Sequence, residues 1–134
     1  MSTSGAQTVR VVAAVIENGG KYLITQRRPT AVLPLLWEFP GGKVETGETD
    51  ADALQREVKH RLGVDVRCGQ LISFVSHPYE RYTVDLYLYE CQIALGEPTA
   101  RAVHTFKWVT SADFDQYAFT PADEASMSKL LGMG

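Results

Sequence analysis

Cysteine is scarce: only Cys68 and Cys91 occur, with no Cys-x-x-Cys pair and no histidine at ligand spacing. A zinc site of the usual pattern and a disulfide framework are therefore excluded, and two free thiols are expected. An excess of positive charge is missing too. Thirteen Lys and Arg stand against 16 Asp and Glu, a formal charge of −3. Binding along nucleic-acid backbones needs clustered surplus cations that displace counterions, so no nucleic-acid partner is expected and any phosphate site must be local. No apolar run approaches the roughly 20 residues of a membrane-spanning helix. The polar stretch Met1 to Thr8 has neither the basic start nor the apolar centre of a signal peptide. A cytoplasmic protein without a membrane partner is expected, with residues 1–8 as a flexible terminus. Internal repeats and low-complexity tracts are also lacking. At 134 residues and 45% hydrophobic content the chain suits a single domain, 1–134, with a real core.

The pattern of what is present mixes strands and helices. Val9 to Glu17 is rich in Val, Ile and Ala, and Asn18-Gly19-Gly20 is a turn signal leading into Lys21 to Gln26, which together predict a hairpin. Pro29 to Leu36 reads as a loop, and Trp37-Glu38-Phe39 is a short aromatic segment broken by Pro40-Gly41-Gly42. Thr49 is a helix cap and Gly63 a stop, with Ala51, Leu54, Val58 and Leu62 at helical spacing between them. Val64 to Val75 and Tyr82 to Gln92 read as paired strands joined through His77 to Arg81, Val103 to Val109 as another strand, and Pro121 to Leu131 as an amphipathic helix.

One segment carries chemistry. Gly42-Lys43-Val44-Glu45-Thr46-Gly47-Glu48 is followed after seven residues by Arg56-Glu57-Val58 and then by Gly63-Val64. With Trp37-Glu38-Phe39-Pro40-Gly41-Gly42-Lys43 ahead of it, this run resembles the Nudix box and its approach segment in Nudix hydrolases of the MutT-like type, and the likeness extends from Val11 through Leu131. The resemblance implies an α/β Nudix fold, an α/β/α sandwich around a mixed sheet. It implies cleavage of a phosphoanhydride in a nucleoside di- or triphosphate, a (d)NTP pyrophosphohydrolase, with a small-molecule nucleotide as partner and a homodimer left open. The cofactor it implies is Mg²⁺ or Mn²⁺, because such cleavage gathers divalent cations on phosphate oxygens and a carboxylate-loaded helix beside a glycine turn supplies their ligands.

By the same resemblance, Glu57, Glu48 and Arg56 are the catalytic candidates. Arg27, Phe39, Lys43, Arg81 and Asp123 are the substrate-binding candidates, Asp123 as reader of the base edge. Gly41 through its carbonyl, Glu57, and weakly His60 are the metal candidates. Two departures weaken that set. Where the box continues into adjacent glutamates this chain has His60 and Arg61. Positions 57, 60 and 61 share a helix face, which goes from three negative charges in the family pattern to one acid, one neutral imidazole and one guanidinium. A late-loop acid that often completes the metal site is replaced by Ala102, between Arg101 and Val103. An arginine about 4 Å from a divalent ion is repelled by up to roughly 8 kcal/mol at an effective dielectric near 20. Arg61 is instead spaced to pair with Glu57. Two readings stay open: a weak pyrophosphohydrolase whose metal binds loosely, and a silent homologue in which Arg61 takes the cation's place and the fold serves as a nucleotide sensor or interaction domain.

Overall fold

A computed structural model describes residues 7–130. Strands β1 (Gln7–Asn18) and β2 (Lys21–Gln26) form the expected hairpin, followed by β3 (Trp37–Glu38), β4 (Gly41–Lys43), helix α1 (Asp50–Leu62), β5 (Asp65–Pro78), β6 (Tyr82–Leu95), β7 (Thr105–Val109), a 3₁₀ turn (Ser111–Gln116) and α2 (Pro121–Leu130). The sheet has seven strands in the order β3-β2-β1-β6-β5, with β4 added to β1 and β7 to β2. β1 runs parallel to β6 from Gln7 opposite Tyr82 to Ile16 opposite Cys91, while the other pairs are antiparallel, so the sheet is mixed as expected. Gln7 and Thr8, placed in the terminal stretch from sequence, pair with Tyr82 and Thr83 in this ladder. Leu131 lies outside the described residues.

The two-residue period of β1 builds both halves of the core. Val12, Ala14 and Ile16 face one side and join Leu54, Val58 and Leu62 of α1. Ala13 and Val15 face the other and join Phe39, Phe114, Phe119, Ala122 and Met127 around the 3₁₀ turn and α2. This is the layered sandwich. Along α2 the inward residues are Ala122, Asp123, Ser126 and Met127, so the stripe expected to be apolar is half polar, and one of its members is a carboxyl.

Helix α1 begins where Thr49 accepts the Asp52 N–H at 3.1 Å and ends where Gly63 takes φ 75°. The Arg101 guanidinium crosses so close over Gly63 that a methyl there would meet Nε at 2.8 Å. The 99–102 loop closes the helix end: the N–H of Thr99 bonds the Leu62 carbonyl, and those of Arg101 and Ala102 bond the Arg61 carbonyl. Thr49→Ala is expected to cost about 1 kcal/mol in urea denaturation, since the Asp52 N–H then loses its acceptor.

Candidate active site

Three acids and three arginines interlock on α1 and the segments beside it. Period-two alternation in Trp37-Glu38-Phe39 sends both rings into the core near Phe114 and Phe119 and turns Glu38 to the opposite side, toward α1. There Arg27 Nη1 donates to both Glu38 oxygens at 3.2 and 3.3 Å, and Arg61 Nη1 approaches Oε2 at 3.5 Å. Arg61 Nε donates to Glu57 Oε1 at 3.0 Å, and Arg56 Nη1 to Glu57 Oε2 at 2.8 Å. Arg56 also grips Glu48 through Nε and Nη2 at 2.6 and 2.9 Å and bonds the Lys43 carbonyl. These bonds hold the Glu48 carboxyl down to about 2. The Glu38 carboxyl is raised, because burial outweighs the attraction of Arg27 and Arg61.

Gly41 and Gly42 permit this packing. The Glu57 carboxylate lies directly over Gly42, where a methyl would sit 2.3 Å from its Cδ. Gly41 meets the backbone of β1 so tightly that a methyl would stand 2.0 Å from the Val12 carbonyl oxygen.

Beside the network opens a cleft of about 620 Å³, floored by Val9, Val11, Val84 and Leu86 from the parallel pair β1 and β6. Arg27, Lys43 and Arg61 line it, and so does Asp123. Asp123 is 6% exposed and fixed by three bonds: Oδ1 accepts the Phe39 N–H at 3.1 Å, Oδ2 accepts the Thr120 hydroxyl at 2.6 Å, and its own N–H donates to Thr120 Oγ1 at 3.3 Å. Burial, with Glu38 nearby, pushes its carboxyl up to about 7.

Of the residues singled out from sequence, Arg27, Phe39, Gly41, Lys43, Arg81 and Asp123 line this cleft. Phe39 is 2% exposed and holds Asp123 through its backbone, so it offers the cleft little ring surface. Lys43 and Arg81 are exposed at the rim. Glu57, Glu48 and Arg56 come together but are not among the residues that line the cleft. His60 is exposed on α1 and is not among the residues that line the cleft. Two residues outside the sequence candidates also take part: Glu38 joins Arg27 to Arg61, and the exposed Arg28 donates through Nη2 to the Arg101 carbonyl at 2.8 Å. Thr120 and Tyr79, whose hydroxyl accepts the Ala122 N–H, were missed. The alternation at Trp37 to Phe39 was the available signal for Glu38.

The donor set does not fit a divalent ion as it stands. Each oxygen of Glu57, Glu48 and Glu38 already faces an arginine N–H. Among the described residues no group of three or more His, Cys, Asp or Glu is arranged to hold a metal.

Comparison with known proteins agrees with the geometry. The NUDIX domain model matches residues 11–129. The CTP pyrophosphohydrolase of Escherichia coli (strain K12) is 32% identical over 115 residues, covering 86% of this chain and 85% of that protein. A putative 8-oxo-dGTP diphosphatase 2 of Mycobacterium tuberculosis is 35% identical over 127 residues, covering 90% and 86%. The crystal structure of a MutT protein from Methanosarcina mazei superposes with a TM-score of 0.86 at 19% identity over 97% of each chain, a likeness of fold. With the box residues, the mixed sheet and these relatives in agreement, the chain belongs to the Nudix family and is a MutT-like member of it.

Proposed function

We propose that the protein binds a nucleoside di- or triphosphate in the large cleft, base toward Asp123 and phosphates toward Arg27, Lys43 and Arg61, and that it is a slow (d)NTP pyrophosphohydrolase. The observation that carries the binding reading is the polarity of the cleft: a buried, oriented carboxyl, an apolar sheet floor and a cationic group of side chains around one volume. A nucleotide has the same sequence of polar edge, flat apolar ring and anion. The names of relatives, a CTP pyrophosphohydrolase and 8-oxo-dGTP diphosphatases, support the reaction class. Hydrolysis is slow because Arg61 neutralises Glu57, the acid on which the chemistry depends, and Arg56 neutralises Glu48. That same ion pair favours a second reading, binding without cleavage.

Asp123 sets the choice of base by its protonation. An ionised carboxylate accepts from an exocyclic amine such as that of cytosine, whereas the protonated form donates to a ring carbonyl of guanine type. Affinity for dCTP is therefore expected to rise from pH 6 to pH 8, and affinity for 8-oxo-dGTP to fall over the same interval; both trends are expected to vanish in Asp123→Asn. Calorimetry at the two pH values checks this, and flat profiles in the parent would remove Asp123 from base recognition. Thermal stability provides a separate reading. The folded state keeps the Asp123 proton up to about 7, whereas the usual value is 3.8. This contribution is complete below 3.8 and is lost as pH rises toward 7, so the parent should lose stability across that window relative to Asp123→Asn. Pyrophosphate release from a (d)NTP panel with Mg²⁺ or Mn²⁺ separates slow enzyme from silent binder, and Glu57→Gln should abolish whatever turnover the parent has.

A further inference from the structure

A second cavity of about 140 Å³ lies between the end of β2, the last turn of α1 and the loop before β7, lined by Arg27, Arg28, Ala31, Arg61, Ala102 and Val103. Half of this lining is arginine and none of it is acidic. Each arginine is held through part of its guanidinium. Arg27 is fixed through Nε to the Val32 carbonyl and Nη1 to Glu38, and Arg61 through Nε to Glu57 and Nη1 to Glu38. Among the described residues, Nη2 of both makes no hydrogen bond. Arg28 gives Nη2 to the Arg101 carbonyl and has no carboxylate partner among the described residues. The charge of Arg27 and Arg61 is balanced by Glu38 and Glu57, so Arg28 leaves a surplus cation at the cavity. The Arg61 carbonyl at the end of α1 is occupied by the N–H groups of Arg101 and Ala102 and so does not oppose an anion.

We propose that this cavity is a phosphoryl-anion site in which Arg27, Arg28 and Arg61 bind phosphate oxygens directly, with no divalent ion between. The proposal rests on and extends the nucleotide reading above, because Arg27 and Arg61 line both cavities. Guanidinium groups match phosphate oxygens with paired, charge-assisted donors, and here carboxylates have already fixed two of the forks, so little side-chain freedom is lost on binding. Arg61 supplies a positive charge that chelators cannot remove.

The test is calorimetry with inorganic pyrophosphate, and separately with dCTP and 8-oxo-dGTP, in EDTA and again with Mg²⁺, for the parent, Arg61→Gln and Arg28→Gln. Arg28→Gln leaves the acid network intact and so guards against a folding defect in Arg61→Gln. The parent should bind pyrophosphate in EDTA, and each variant should weaken it by about 10-fold to 100-fold, the loss of one charge-assisted bond. Binding that requires Mg²⁺, or equal affinity in all three proteins, would overturn the anion site. If pyrophosphate binds as expected and neither dCTP nor 8-oxo-dGTP does, the anion site stands and the nucleotide reading falls. If dCTP binds only with Mg²⁺ and equally well to all three, the nucleotide reading stands and the anion site falls.

Discussion

Replacing His60 and Arg61 together with glutamate should turn a slow or inert protein into one that needs Mg²⁺ and works at least about 100-fold faster. The double change restores three acids to the face of α1 that now sums to zero charge with Glu57, and it removes the donor that holds Glu57 Oε1 at 3.0 Å. It also releases one of the two arginines on Glu38. A metal ion provides several kcal/mol of charge stabilisation, and about 3 kcal/mol of that is roughly 100-fold in rate. Pyrophosphate release with Mg²⁺ and with EDTA measures it. If the variant folds but neither binds Mn²⁺ nor gains turnover, the idea that Arg61 is what limits the chemistry is wrong.

Gly41→Ala is expected to be the most damaging single methyl in the chain. Its Cβ would stand 2.0 Å from the Val12 carbonyl oxygen and 2.6 Å from the Ala13 Cα, and both are backbone atoms of the central strand, which no rotamer change can move aside. Relief requires β4 to leave β1, breaking the pairing of Ala13 with Gly41 and Val12 with Gly42. We expect a loss of about 3 kcal/mol or more, a lowering of the melting temperature by roughly 10 °C. Gly42→Ala is the informative control, because the group it meets is the Glu57 side chain, which can swing away. A melting temperature for Gly41→Ala within a degree or two of the parent would show that β4 is free to shift.

The elements were legible where local chemistry decides them. Thr49 and Gly63 mark α1 because a hydroxyl satisfies a free N–H and a glycine accepts a left-handed turn; both do so here. The Glu57 to Arg61 pair was legible because four residues on a helix bring side chains together. What was hidden depends on contacts between distant segments. Glu38 meets Arg27 and Arg61 only after β3 pairs with β2 and α1 packs behind them. Arg28 becomes part of a cavity only because the 99–102 loop caps α1. Asp123 was read as a base-edge candidate, yet a carboxyl at a helix start usually serves the dipole at the surface. Here it is buried and accepts the Phe39 N–H, 84 residues away in sequence. The short 3₁₀ turn at Ser111–Gln116 gave no periodic signal, being too brief to show one.

The parallel pairing of β1 with β6 also governs the order in which the molecule can be built. Ile16 is translated before Cys91 but takes it as its ladder partner only when Cys91 has been made. Until then the middle of the sheet has an open edge on a nascent chain, with only the hairpin and the short β4 to cover it. Completion of the sheet therefore waits until residue 91 has been made, and a fragment stopping short of residue 82 would display a long apolar ribbon ready to pair with whatever strand it meets.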